Sequence, residues 1–507
     1  MTPGKPFYLT TAIDYSNGDP HLGHALEKVG ADAIARWHRL RGEPVHFLMG
    51  MDENAQKVIQ AAEAAGRTPA AWLDAMSERF NATWQRLECS HDVWMRTTEP
   101  RHVRGVTALI EAIRSRNPDD LHVGEYQGLY CIGCEEYKSE SQIRDGRCIE
   151  HPSRELILTK ERNTFFRLSR WRDAVLAAIQ AGELRVEPEI RRNEVLRVLE
   201  DGLQDISISR SRAAWGIPFP GAADETVYVW FDALINYLSA TGYPDAGYDR
   251  LWPADLHVIG KGITRFHCII WPAMLMAAGV ALPKMVWAHG YVQWGGAKVS
   301  KSEGTSVSLD EAIDHRGPDA LRWFLLREVG FENDGDFSFE RFDARYDSDL
   351  ANGLGNLAAR TTAMLDKYRS GLVPDGEHGS EPLDAAGDRC VANYATAMNA
   401  IDLKGAAEAV SHLVSEANGY IVATAPWVLA KAGDGARLDA ALGALARCLL
   451  RLSVMASPFM PSKAQALWTA LGQAGSPEGA WARAQAPDIA AAKVVKPENL
   501  FPKPTAG

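Results

Sequence analysis

A strand-turn-helix-strand unit at the start of the chain limits the fold more than any other feature. Phe7 to Ile13 is a short apolar, β-branched run, and Asp14 to Pro20 is rich in turn-forming residues. From His21 to Arg41 the apolar residues Leu22, Leu26, Val29, Ala33, Ile34, Trp37 and Leu40 recur at helical spacing. Gly42 closes that segment, and Pro44 to Met51 reads as a second strand. Two strands joined through a helix lie parallel with a right-handed crossover. The spacing therefore predicts an α/β fold on a doubly wound, Rossmann-like parallel sheet.

The alternation breaks near Asn117-Pro118 and stays irregular to about Pro220. It resumes with an expected strand over Val227–Phe231, a helix over Asp232–Ala240, a strand over Leu256–Gly260 and a helix over Thr264–Ala278. Beyond about Leu350 the chain is rich in Ala and Leu with helical periodicity, as in a bundle. The expected division is a Rossmann catalytic domain in two halves, 1–116 and 223–290, around an inserted connective domain, 117–222. A linking region, 291–348, and a helical domain, 349–507, follow. A chain of 507 residues supports several cores of roughly 150 residues each.

Net charge is −11, which excludes a general nucleic-acid binder and leaves any RNA to a local basic surface. The longest apolar stretch, Ile269 to Leu282, contains Pro272 and Gly279, falls short of the roughly 18 residues a membrane span needs, and reads as a buried helix. The N-terminus lacks the features of a signal peptide, so a cytoplasmic location is expected. Seven cysteines are too sparse for a disulfide scaffold. Cys89, Cys268, Cys390 and Cys448 stand in apolar or helical surroundings and read as buried hydrophobes.

Three stretches carry chemistry. Pro20-His21-Leu22-Gly23-His24 sits at the helix start, where backbone N–H groups and the helix dipole suit phosphate. His21 and His24, three apart, share one face of the first turn, and Gly23 leaves room for a ligand. Neither familiar glycine-rich phosphate loop is present, which disfavours P-loop and dinucleotide folds. The second stretch, Gly296 to Thr305, places Lys298 and Lys301 around Val299 and Ser300 between glycines, a loop able to carry positive charge to a triphosphate. By residue type alone, surface histidines and a solvated loop would serve as well. The third is Cys131-x2-Cys134 with Cys148-x2-His151. Three thiolates and an imidazole close a tetrahedral shell, the pattern of one structural Zn2+.

The His-Leu-Gly-His turn and the Lys-Val-Ser-Lys-Ser loop together resemble the signature pair of class I aminoacyl-tRNA synthetases. The single zinc knuckle inside an insertion looks like the methionyl-tRNA synthetase family, and the similarity spans nearly the whole chain. It includes Val229-Trp230-Phe231-Asp232-Ala233, Gly260-Lys261, Trp271-Pro272 and Ala425-Pro426-Trp427. The resemblance implies activation of L-methionine with ATP and Mg2+ to methionyl-adenylate, then transfer to the 3′ end of methionine tRNA. It implies that His21, His24, Lys298 and Lys301 are catalytic, with Gly23, Gly260 and Ser300 joining them in ATP binding. It places Ile13, Asp52, Trp230, Ala233, Tyr237 and His289 at the amino acid; aromatic faces suit a thioether. Asp52 also stands where open sheets bind ligands, at the end of the second strand, and its carboxylate can pair with an ammonium group. By the family's pattern the helical domain reads the anticodon and the insertion guides the acceptor end. No appended dimerisation module is recognisable after the helical domain, so a monomer is expected, and the lack of an apolar span predicts no membrane partner.

The sequence departs from that pattern at Asp14 (usually Pro), Asn54-Ala55 (His-Gly), Gly262 (Asp), Val299 (Met), Arg162 (Glu) and Thr164 (Tyr). These departures leave open a paralogue that activates another amino acid or ligates it to a small amine. A non-catalytic RNA-binding relative is the third reading.

Overall fold

The computed structural model describes residues 4–503 except 17, 56, 132–135, 139–141, 150, 151, 153, 154, 212–214, 295, 296, 299–307, 376–378 and 380. Residues 57, 126, 127, 136, 137, 159–161, 211, 223, 297 and 298 are described by backbone alone. Cys134, His151, Ser300 and Lys301 thus lie outside the described residues, as does Val299, and Lys298 is placed without its side chain.

The opening unit folds as the apolar spacing predicts. Strand β1 (Phe7–Thr11) leads through β2 (Asp14–Tyr15) into helix α1 (Leu22–Leu40), and the chain returns along β3 (Val45–Asp52) and later β4 (Val93–Arg96). Strand β5 (Arg185–Glu187), helix α2 (Val229–Ser239), β6 (Leu256–Gly260) and β7 (Met285–His289) complete the central layer. The seven strands run β5-β7-β6-β1-β3-β2, with β4 also on β3, and every pairing is parallel. Helix α1 buries Leu22, Leu26, Val29, Ile34, Trp37 and Leu40 of its apolar stripe, and also Glu27, Lys28, Gly30, Ala31, Asp32 and Ala35, so its middle is covered well beyond the face that the sequence period marks.

Two details differ from the sequence expectation. The strand expected over Val227–Phe231 ends at Val227, and Val229 already begins α2. That helix is buried on nearly every face, so its apolar residues show no one-sided period to read. Strand β5 comes from inside the 117–222 segment, yet pairs with Met285–Trp287 at the sheet edge. It is three residues long with only Val186 buried at its centre, too short to show alternation.

The remainder of that segment forms its own small sheets. Leu121–Cys131 pairs antiparallel with Ile157–Phe166, and Ala222–Val227 pairs with Ser209–Ser211 and Pro218–Phe219. After residue 355 the chain is helical, with Asn356–Arg369, Pro382–Asn399, Leu403–Thr424 and Gly435–Ala456 packed into one apolar core. Among the described residues no helix is long and apolar enough to cross a membrane. Cys89, Cys268, Cys390 and Cys448 are all buried, in keeping with their reading as small hydrophobes.

Candidate active site

The first turn of α1 is fastened by its own histidines. His21 caps the helix in an extended conformation, and its Nδ1 accepts from the N–H groups of Gly23 at 3.1 Å and His24 at 3.4 Å. His24 reciprocates, its Nδ1 accepting from His21 N–H at 3.3 Å, and the two rings stack with centroids 3.7 Å apart. A nitrogen that accepts from a backbone N–H carries no proton, so each neutral imidazole holds its proton on Nε2. The motif therefore offers Nε2–H donors, while the backbone N–H groups of Gly23 and His24 are occupied by the cap. A Cβ on residue 23 would lie 3.1 Å from the His21 ring, which accounts for the glycine.

Around this turn, at the carboxyl ends of the parallel strands, lies a cavity of about 320 Å³. It has the size and place of a small-ligand site in an open α/β sheet. Ile13, His21, Gly23, His24, Asp52, Trp230, Ala233, Tyr237, Gly260 and His289 all line it, so residues chosen from distant parts of the sequence converge on one space. Trp230, Ala233 and Tyr237 share one face of α2 at helical spacing. Trp230 stacks on Phe266 at 4.5 Å and on Tyr15 at 5.9 Å. The Tyr237 hydroxyl lies 2.7 Å from His267 Nε2, while His267 Nδ1 lies 3.0 Å from the Ile263 carbonyl. The carbonyl only accepts, so Nδ1 carries the proton and the tyrosine donates to Nε2. Burial keeps His267 neutral, lowering its pKa to about 4.

Asp52 ends β3, buried, and its Oδ1 accepts from Asn54 N–H at 3.4 Å. The next helix begins only at Lys57. Close by on α2 is Asp232, fully buried, which sequence reading passed over. Burial, then the charge of Asp52, raises its carboxyl well above the ordinary range, and Asn54 offsets part of this. The shift favours the protonated form of Asp232 beside Asp52. The available signal was a carboxylate in a helix otherwise almost wholly apolar. Asp14, Tyr15, Glu27, His267 and Tyr291 also line the cavity without having been selected.

Two departures acquire a local reason. A Cβ on Gly262 would fall 2.1 Å from the Tyr291 hydroxyl, so that ring fills the space of a side chain at 262. Lys261 beside it pairs with Asp334 at 2.7 Å and sits over the Tyr291 ring. Asn54 donates from its side chain to the Thr97 carbonyl at 3.2 Å. Directly after Tyr291, strand Val292–Trp294 pairs antiparallel with Ala297–Lys298. That hairpin brings the backbone of the second lysine motif to the cavity's edge. In the insertion, Cys131 ends the strand Leu121–Cys131 and Cys148 ends Arg147–Cys148, both thiols buried.

The sequence matches the family of class I tRNA synthetases (M) over residues 7–155 and 141–362, and the anticodon binding domain of methionyl tRNA ligase over 373–506. The chain belongs to the methionyl class I tRNA synthetases. The methionine–tRNA ligase of Streptomyces coelicolor is 41% identical over 98% of this chain and 97% of its own length. That of Mesorhizobium japonicum is 41% identical over 91% of this chain and 90% of its own. The structure of Mycobacterium tuberculosis methionyl-tRNA synthetase in complex with methionyl-adenylate superposes with a TM-score of 0.93 at 38% identity, covering 98% of this chain and all of that one. The apo form of the same synthetase gives 0.87 at 35% identity, covering 99% of both chains.

Proposed function

We propose that the chain is a methionine–tRNA ligase that activates L-methionine with ATP and passes the methionyl group to the 3′ end of methionine tRNA. One observation carries this: an aromatic-walled cavity with a buried carboxylate opens onto the stacked histidine turn, in a chain of this family over its full length. The methionine ammonium pairs with Asp52, and its thioether lies among Ile13, Trp230, Ala233, Tyr237 and His289. Its carboxylate oxygen bonds to the α-phosphorus of ATP as the bond to the β-phosphate oxygen breaks, and pyrophosphate leaves. His21 and His24 donate from Nε2 to the phosphates. Gly23 and Gly260 let the nucleotide approach the backbone, and Lys298, Ser300 and Lys301 take the charge that grows on the leaving group. A ribose hydroxyl of the tRNA then attacks the methionyl carbonyl and AMP departs.

Mg2+ accompanies ATP, and Zn2+ holds the insertion together through Cys131, Cys134, Cys148 and His151. The burial of Cys131 and Cys148, each at the end of a strand, suits such a closed thiolate site. Residues 117–222 guide the acceptor end and 349–507 read the anticodon. The enzyme works as a monomer in the cytoplasm. Retention of the whole anticodon domain favours tRNA over a small amine as acceptor.

The test is ATP–pyrophosphate exchange with each of the twenty amino acids, tRNA absent. Exchange specific to methionine is expected. Exchange with a different amino acid would replace the substrate, and none at all would remove the activation step.

A further inference from the structure

The amino-acid cavity is backed by a charged side chain that does not line it. Lys28 on α1 is 1% exposed, one turn beyond His24. Its ammonium meets Asp14 Oδ1 at 3.0 Å, Glu27 Oε1 at 2.8 Å and the Ala12 carbonyl at 2.5 Å. Asp14 takes a second hydrogen bond from the indole N–H of Trp84 at 2.9 Å. The other oxygen of Glu27 faces His289 Nε2 at 3.1 Å, and His289 Nδ1 lies 2.7 Å from the Gly290 carbonyl. Ala12, Asp14, Glu27 and His289 all line the cavity; Lys28 stands behind them.

Taking an ammonium group and two carboxylates out of water is costly unless each is held by an opposite charge in good geometry. Here the cost is met by contacts that each end on a cavity-lining residue. The three donors of an ammonium group radiate in fixed directions, and all three are used. One side of the network sets the β1–β2 loop through Ala12 and Asp14. The other sets the end of β7 through Glu27 and His289. Burial would lower the Lys28 pKa, but Asp14 and Glu27 outweigh it and keep it raised.

We propose that Lys28 is a positioning residue for amino-acid activation, fixing two parts of the cavity wall, one through Asp14 and Ala12 and the other through Glu27 and His289. This rests on the methionine-activating reading above and adds a determinant to it. Lys28 touches no reacting atom. It sets the width of the space in which the amino-acid side chain is held, so its loss falls on methionine binding and leaves nucleotide binding largely intact.

The experiment measures methionine-dependent ATP–pyrophosphate exchange and melting temperature for the wild type, Lys28→Met and the double variant Asp14→Asn with Lys28→Met. The expected result is a KM for methionine raised by about tenfold or more in Lys28→Met, with the KM for ATP changed by less than about threefold. The double variant removes one of the two carboxylates that lose the ammonium, while Glu27 keeps His289, so its melting temperature recovers part of the way toward the wild type and the KM for methionine stays raised. That divergence separates positioning from a purely structural role, and the double variant carries the test if the single one fails to fold. Wild-type exchange with a KM for methionine unchanged in the variants, or recovering along with melting temperature, overturns this proposal alone. A wild type without methionine-dependent exchange overturns the reading beneath it and this proposal with it.

Discussion

Arg322 and Asp32 meet at 2.7 Å with neither side chain exposed, and this pair joins three parts of the molecule. Asp32 lies on α1, about two turns beyond His24. Arg322 also donates to the carbonyls of Leu87 at 2.9 Å, Phe459 at 3.0 Å and Pro458 at 2.7 Å, the last two in the helical region. Burial would raise the Asp32 pKa, but Arg36 and Arg322 together drive it well below the carboxylate range. Removing the guanidinium takes one of two arginines from the buried Asp32 carboxylate, leaving Arg36 and Ser90 on it, and strips three carbonyls of this donor.

Arg322→Ala is therefore expected to lower stability by about 3–5 kcal/mol in urea denaturation. Arg36→Ala, which breaks the more exposed contact to the same carboxylate, should cost less than about 1 kcal/mol. Equal losses in the two variants would show that burial of Arg322 contributes nothing special.

The observed role of His21 as helix cap and its proposed role as phosphate donor can be separated. Asparagine caps helices well, so His21→Asn should keep stability within about 1 kcal/mol of the wild type. It lacks the Nε2–H reach of the imidazole, and pyrophosphate exchange should fall by roughly 10²–10³. His21→Ala should lose the activity and about 0.5–2 kcal/mol besides. Full activity in His21→Asn would reduce the histidine to a cap.

Zinc is open to a direct count. Elemental analysis of the purified chain should find about one Zn2+ per molecule. Cys148→Ser should abolish it and destabilise the insertion, because metal binding of this kind is folding free energy. A wild-type protein free of zinc would mean the two thiols are ordinary buried residues.

What could be read in advance follows from how local each determinant is. Strands β1 and β3 and helix α1 declare themselves because apolar spacing, turn residues and the His21–His24 pair all act within a few residues of each other. The cavity's aromatic wall is marked by the resemblance to the family alone: Trp230 and Tyr237 otherwise read as core aromatics, and the strand expected over Val227–Phe231 leaves Trp230 outside the helix whose face it shares with Ala233 and Tyr237. The Glu27–His289 contact joins residues 262 positions apart, and no periodicity marks it. Asp232 is adjacent in sequence to chosen residues yet gains its character only when folding sets it beside Asp52. Strand β5 illustrates the same limit: its place is fixed by Met285–Trp287, a hundred residues further on, rather than by its own three side chains.

Acid should destabilise the protein in part through His102. This histidine is fully buried, its Nδ1 2.8 Å from the Ser239 hydroxyl at the end of α2, and burial then Arg101 lower its pKa from 6.5 to about 3. Between those two values the unfolded chain binds a proton that the folded chain refuses. Stability from this group is whole above pH 6.5 and is lost as pH falls toward about 3, at up to about 1.4 kcal/mol per pH unit. Asp14 and Asp319, raised to about 6 and about 7, act in the opposite sense, since folding there retains protons that the unfolded chain has released. A plot of denaturation free energy against pH for the wild type therefore mixes both signs. The difference between wild type and His102→Gln isolates the histidine, because glutamine has no proton to gain. That difference should shrink steadily from pH 7 to pH 4; a difference constant across the range would mean that His102 is already charged in the folded protein or reaches water there.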